Sequence, residues 1–124
     1  NGGDFLAAVE ATTGIRARVI TGPEEARLIH LAASYNTAFT GPTVVFDIGG
    51  GSVEITYGRG AEPELVRSFK IGVIRLTERF LRSDPTSPRD ERRLVRHVRD
   101  TTAPYLELIR HRGFVRVIGT SGTI

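Results

Sequence analysis

Apolar and polar positions change period several times along the 124 residues, and each change marks an expected element. Phe5, Leu6, Val9 and Ala11 follow a helical spacing, with Asp4 as the expected cap and Gly14 as the stop. Residues 16–20 alternate polar with apolar, which predicts a strand. Thr21, Gly22, Pro23 and Glu24 read as a capping box opening a second helix, with proline tolerated in its first turn. That helix is expected to reach about Tyr35, with Ala26, Ile29 and Ala33 on one face. Residues 36–42 are polar and turn-rich, the natural place for a boundary or crossover.

Beyond residue 42 the period becomes that of a sheet. Residues 43–48, 52–57 and 64–70 read as strands, separated by Gly49-Gly50-Gly51 and by Gly58-Arg59-Gly60, which suggests an antiparallel meander. Residues 72–81 are expected to be helical. Ser87-Pro88 opens the longest helix, whose Leu94, Val98, Thr102, Tyr105 and Ile109 form a buried stripe and whose Pro104 is expected to kink it. Residues 115–118 return to a strand, Gly119-Thr120-Ser121-Gly122-Thr123 follows as a loop, and the pattern then calls for another helix, so the chain reads as truncated.

Composition changes little in this picture. Hydrophobic residues make up 40% and charged residues 25%, ordinary for a globular domain. No run approaches the roughly 20 apolar residues of a membrane-spanning helix, and no charged-then-apolar leader opens the chain. Cysteine is absent, which excludes disulfides and thiolate metal sites and favours a cytoplasmic reading. The net charge of +3 is unevenly spread: residues 1–66 carry 4 basic and 8 acidic side chains (4 − 8 = −4), residues 67–116 carry 13 and 6 (13 − 6 = +7). A basic half attracts polyanions. Arg92, Arg93, Arg96 and Arg99 read as an exposed helix face, and the aromatics that would stack nucleic-acid bases are not interleaved with them.

The densest candidate chemistry lies in Asp47-Ile48-Gly49-Gly50-Gly51-Ser52-Val53-Glu54. Three glycines let a backbone turn sharply and admit a bulky anion to its N–H groups. Carboxylates flanking such a cradle make sense where a hard cation such as Mg²⁺ bridges them to phosphate. On spacing alone, a glycine hairpin with acids at its ends by chance stays open. A dinucleotide fingerprint is excluded because Glu54 stands where glycine is required, and a P-loop because neither glycine loop carries a lysine. The 119–123 run also fails as a nucleophile elbow, lacking glycine at 123, and reads equally as a second phosphate loop or an ordinary turn. If Glu24 closes the capping box, Glu25, about 100° further round the helix, can face a cleft as a general base; a first-turn acid serving the helix dipole is the plainer alternative. His30, His97 and His111 read as solvated side chains; Arg27 and Arg75 could touch a phosphate, but surface ion pairs are the plainer reading.

Four runs read together resemble the exopolyphosphatase and guanosine pentaphosphate phosphohydrolase family: ITGPEEAR at 20–27, VVFDIGGGSVEI at 44–55, SFKIGVIRLTERFL at 68–81 and VIGTSGTI at 117–124. The resemblance implies an α/β, actin-like, ribonuclease-H-like fold with a mixed sheet and flanking helices. Residues 1–42 would end the first domain and 43–124 begin the second, with the site in the cleft between them. It implies hydrolysis of the terminal phosphoanhydride of polyphosphate or guanosine pentaphosphate, the stringent-response alarmone. Glu25 matches the position that activates water, and Asp47 and Glu54 match those that hold Mg²⁺. Gly49, Gly50, Gly51 and Ser52, with Gly119, Thr120, Ser121, Gly122 and Thr123, match the loops that embrace phosphate. The family's opening glycine- and serine-containing phosphate loop is not among these residues, so the isolated piece is expected to be inactive, and the resemblance leaves room for a homodimer at full length. Two other readings stay open: an ATP-using kinase or chaperone-like ATPase of the same superfamily, and a non-catalytic polyphosphate- or alarmone-binding domain.

Overall fold

The computed structural model describes residues 1–121. In chain order the elements are α1 (Gly2–Thr13), α2 (Gly22–Thr37), β1 (Thr43–Ile48), β2 (Val53–Gly58), β3 (Leu65–Phe69), α3 (Val73–Phe80), α4 (Pro88–Arg112) and β4 (Arg116–Ser121). The sheet order is β3-β2-β1-β4. β1, β2 and β3 form the expected antiparallel meander, and β4 joins β1 in parallel through the α3–α4 crossover, which makes the sheet mixed.

Period-two alternation sorts each strand onto two faces. Val44, Ile55, Tyr57 and Phe69 meet Ile71 and Ile109 in one buried cluster under α4. Burying side chains of this size is worth about 1.5–3 kcal/mol each. Two phenols tie the helix side to the sheet side: Tyr57 Oη donates to the Gly113 carbonyl at 3.2 Å and Tyr105 Oη to the Ile55 carbonyl at 3.3 Å. Burial pushes the Tyr105 phenol up to about 12, so it remains a donor throughout the physiological range. The opposite face carries Thr43, Val45, Glu54 and Thr56, and α2 lies across it with Ala26, His30 and Ala33 buried.

Several expectations need correction. The cap of α1 is Asn1, whose side-chain oxygen accepts from Gly3 and Asp4, and Asp4 closes a capping box instead of opening the helix. No residue of α1 is buried. Residues 16–20 form no strand, and no other strand of the described residues pairs with them; Val19 is 79% exposed. Thr21 caps α2 as expected, accepting from Glu24 N at 3.3 Å, but the Glu24 carboxylate turns mainly to Arg18. Ser87 caps α4 as expected, and the helix continues past Pro104 to Arg112. Gly119, Thr120 and Ser121, expected in a loop, continue β4 in register with Phe46, Asp47 and Ile48, because β1 supplies a parallel ladder that outweighs their turn propensity. Gly122 and Thr123 lie outside the described residues. Among the described residues no helix is long and apolar enough to cross a membrane.

Candidate functional site

The hairpin between β1 and β2 places Asp47 directly opposite Glu54, so the two carboxylates project from the same face of the sheet. Register extends the row in both directions: Thr120 pairs with Asp47 from β4, and Ser68 pairs with Glu54 from β3. A polar line of Ser68, Glu54, Asp47 and Thr120 therefore crosses all four strands on the side that carries α2. Its outer members hold its inner ones. Thr120 Oγ1 donates to Asp47 Oδ1 at 2.5 Å, and Ser68 Oγ donates to Glu54 Oε1 at 2.7 Å.

Glu54 is 1% exposed, and its second oxygen, Oε2, is buried without a hydrogen-bond donor among the described residues. An orphaned carboxylate oxygen in an interior costs on the order of 1–3 kcal/mol, and such an atom calls for a proton or a cation. Asp47 opens with Thr120 and Ser121 into a cavity of about 360 Å³ whose far wall is α2, through Ile29, Ala32, Ala33, Asn36 and Thr37. The donors here are all oxygen, the set a hard divalent cation prefers. No group of three or more His, Cys, Asp or Glu side chains converges among the described residues. The two carboxylates therefore fit Mg²⁺ held jointly with water and phosphate oxygens, the mode typical of that ion, better than a closed protein cage.

The glycine turn is built differently from the expected cradle. Gly49 N donates to the Ser52 carbonyl at 3.0 Å, so this amide is spent on the hairpin and the cradle shrinks to Gly50, Gly51 and Ser52. The carbonyls of Gly49 and Gly50 accept from Val73 N at 3.0 Å and Ile74 N at 2.9 Å, capping the first turn of α3. In a planar trans peptide the N–H points opposite to the C=O. With both carbonyls aimed at α3, the N–H groups of Gly50 and Gly51 point away from it. Helix α3 sits on the α4 side of the sheet, where Val73 and Leu76 line an apolar cavity with Phe46 and Ile55. The two amides therefore face the side that carries Asp47, Glu54 and α2. No described residue accepts from them.

None of the three glycines has a positive φ, so their role is space. A Cβ on Gly50 would lie 2.9 Å from Ile74 Cδ1, whereas one on Gly51 would find nothing nearer than Arg75 Nε at 3.8 Å. The tightest approach belongs to Gly72, where a Cβ would stand 2.4 Å from Ser52 N and 2.5 Å from Gly50 O. Sequence reasoning passed over Gly72, reading it as a helix start; its place in a strand–glycine–helix junction was the available signal. Ser68 was missed as well, although the alternation of β3 puts it on the face opposite buried Phe69.

Glu25 stands on α2, half-buried. The stripe Glu25, Ile29, Ala32, Asn36 advances by four, three and four residues, so Glu25 shares the helix face whose later members border the Asp47 cavity. Helix direction sets its height. Gly22 packs on Ser68, within 2.6 Å of Oγ for a built Cβ, and His30 bonds Thr56 Oγ1 at 2.7 Å. Ser68 belongs to the Asp47–Glu54 row and Thr56 lies two residues further from the turn, so α2 starts beside the Ser68 end of that row. Glu24, by contrast, is pulled outward: its hydrogen bond with Arg18 holds its carboxyl below the usual range. His30, expected at the surface, is fully buried, its Nε2 donating to the Gly60 carbonyl at 3.0 Å and its ring edge-on to Phe39. His97 is half-buried against Phe80, and exposed His111 sits 3.4 Å from Glu107.

Comparison with known proteins agrees over the whole chain. The model of the Ppx/GppA phosphatase family matches residues 1–124. An uncharacterized protein of Streptomyces coelicolor is 38% identical over 123 residues, covering 97% of this chain and 37% of that protein. An exopolyphosphatase from Cytophaga hutchinsonii is 30% identical with a TM-score of 0.89, covering 99% of this chain and 40% of the other. The type II variant of the Aquifex aeolicus Ppx/GppA phosphatase is 32% identical with a TM-score of 0.73, covering 100% of this chain and 40% of the other. The chain thus spans about two-fifths of the length of these relatives. The mixed sheet with its flanking helices is part of an actin-like α/β fold.

Proposed function

Since the chain belongs to the Ppx/GppA phosphatase family, we propose that it contributes the phosphate-binding sheet, and the acid over it, to an enzyme that hydrolyses the terminal phosphoanhydride of inorganic polyphosphate, guanosine pentaphosphate or both. The observation that carries the reading is the meeting of three features on one face: the Asp47–Glu54 carboxylate pair, two unpaired glycine amides and the first turn of α2. An exopolyphosphatase among the structural relatives supports the substrate class.

The N–H groups of Gly50 and Gly51 donate to oxygens of the bound phosphate, stabilising charge as the anhydride breaks. Gly119, Thr120 and Ser121 support this from β4, with Thr120 fixing Asp47; Gly122 and Thr123, outside the described residues, are assigned to phosphate binding with them. Asp47 and Glu54 would hold Mg²⁺, which when bound offsets phosphate charge. Glu25, in the first turn of α2, takes the proton of the attacking water, and in-line attack needs no covalent phosphoenzyme. Residues 1–42 would close the first of two domains and 43–124 open the second. The cleft they share explains why an acid on α2 works with a sheet that follows it. For the 124-residue chain alone the reading is binding without turnover, since an actin-like cleft has two walls.

Glu25→Gln in the full-length protein should lower phosphate release at least about a hundredfold, because proton transfer by a positioned base is worth about 10²- to 10⁴-fold. Near-normal turnover of that variant would remove Glu25 from the mechanism. Assaying polyphosphate and guanosine pentaphosphate side by side assigns the substrate.

A further inference from the structure

Both carboxylates of the polar row are held in the same way, each from the strand beyond it. Ser68 Oγ on β3 donates to Glu54 Oε1 at 2.7 Å, and Thr120 Oγ1 on β4 donates to Asp47 Oδ1. Glu54 Oε2 and Asp47 Oδ2 accept from no described residue. Each acid therefore has one oxygen tied to a hydroxyl and one left over. Residues directly opposite in an antiparallel pair have Cβ atoms about 4.5–5.5 Å apart, so one cation can meet an oxygen from each acid.

The two hydroxyls are firmly placed. A Cβ on Gly22 would lie 2.6 Å from Ser68 Oγ and 2.7 Å from Ser68 Cβ, so the first turn of α2 walls Ser68 in. Thr120 Oγ1 has a second acceptor, the Phe46 carbonyl, but at 3.4 Å, and Asp47 is the nearer one. A hydroxyl has one proton to give, and each of these gives it to an acid. Such a bond to an ionised carboxylate is roughly twice as strong as one between neutral groups. The consequence depends on the ion. Ca²⁺ gathers about six to eight oxygens and often takes both oxygens of a carboxylate, whereas Mg²⁺ is strictly octahedral and keeps water alongside one or two carboxylates.

We propose that Ser68 and Thr120 are positioning residues that set metal selectivity: by occupying Oε1 of Glu54 and Oδ1 of Asp47 they confine each acid to coordination through a single oxygen, which suits Mg²⁺ and disfavours Ca²⁺. This rests on the cation role given to Asp47 and Glu54 in the phosphoanhydride reading and adds to it the choice of ion. Neither hydroxyl touches the metal. A larger ion reaches the second oxygen of either acid only by breaking a charge-assisted hydrogen bond.

The test is Mn²⁺ binding to the full-length protein, read from the loss of its free-ion electron paramagnetic resonance signal, followed by displacement with Mg²⁺ and with Ca²⁺ in separate titrations. Mn²⁺ shares the octahedral oxygen preference of Mg²⁺. In the wild type, Mg²⁺ should displace the probe at a lower concentration than Ca²⁺; the opposite order overturns the proposal. Ser68→Ala and Thr120→Val each remove one hydroxyl and should each shift the ratio of the two displacement constants toward Ca²⁺ by at least about tenfold, the lower end of what a partner of a metal ligand is worth. Thr120→Ser keeps the hydroxyl and loses the methyl, so it should keep the wild-type ratio; a packing role would follow the methyl and reverse that pattern. An unchanged ratio in Ser68→Ala and Thr120→Val, with Glu54→Gln still weakening Mn²⁺ binding, overturns the selectivity role and leaves the hydrolytic reading standing. Mn²⁺ bound equally well by the wild type and Glu54→Gln removes the cation from this pair, and both the selectivity role and the metal assignment of the hydrolytic reading fall.

Discussion

Gly72→Ala isolates the contact on which the glycine turn depends. Gly72 has φ −66° and ψ 162°, a conformation alanine adopts without strain, so backbone preference predicts a small gain from the substitution. Space predicts the opposite. The new methyl would lie 2.4 Å from Ser52 N, 2.5 Å from Gly50 C and 2.5 Å from Gly50 O, all backbone atoms that no rotamer change can move. Overpacking of this kind costs about 1–3 kcal/mol. Displacing the turn also loosens the bonds from Val73 N and Ile74 N to the Gly49 and Gly50 carbonyls, each worth about 0.5–1.5 kcal/mol. After subtracting about 0.4–1 kcal/mol for the stiffer unfolded chain, the net loss is roughly 1–5 kcal/mol. With a urea m-value of about 1.5–2 kcal/mol/M, the unfolding midpoint should fall by about 0.5–3 M. Gly51→Ala is the control: its methyl meets nothing nearer than 3.8 Å, and its midpoint should stay level or rise slightly. Equal midpoints for the two variants would refute the packing argument.

Three further outcomes follow from the same geometry. Glu54→Gln keeps the Ser68 contact and removes the orphaned charge, so its urea midpoint should match or exceed that of the wild type, whereas Mg²⁺-dependent pyrophosphate binding, read by calorimetry, should weaken at least about tenfold. His30 is buried and neutral, and desolvation lowers its pKa below the unfolded value of about 6.5. Its contribution is therefore complete above that value and is lost as pH falls, with a slope no steeper than about 1.4 kcal/mol per pH unit; His30→Gln should flatten the urea-midpoint profile between pH 7 and 5. Pro104→Ala restores a backbone donor inside α4 at an exposed position, and thermal unfolding should shift upward by an amount reflecting up to about 3 kcal/mol.

How much of this the amino-acid order disclosed depends on how local each cause is. The hairpin carries its own register: once residues 49–52 turn, 47 must face 54, because the sums 49 + 52, 48 + 53 and 47 + 54 agree. Caps at Thr21 and Ser87 were likewise readable, being decided within four residues. What failed was non-local. Residues 16–20 alternate like a strand yet find no neighbour, and a strand without a partner leaves its ladder unmade. Gly119, Thr120 and Ser121 have the composition of a turn and become strand because β1 lies alongside. His30 is buried by Thr56, Gly60 and Phe39, which come from elsewhere in the chain. The burial of Glu54 also had no sequence signature, since it depends on α2 folding back over the sheet.

In the glycine turn each of two peptide planes has two roles. Its carbonyls cap α3, and the same planarity turns its amides toward the carboxylate row. Stability and anion binding are then coupled through geometry rather than through shared side chains. A substitution that unseats α3 without touching the phosphate face must rotate those planes and misdirect the N–H groups. Ile74→Ala removes a side chain that meets Gly50 from the α3 side and is itself 61% exposed, so its direct cost in buried area is small. It should nonetheless weaken pyrophosphate binding more than it lowers the urea midpoint. The reverse order would mean that the turn holds its shape without α3, and that its amides owe their direction to something else.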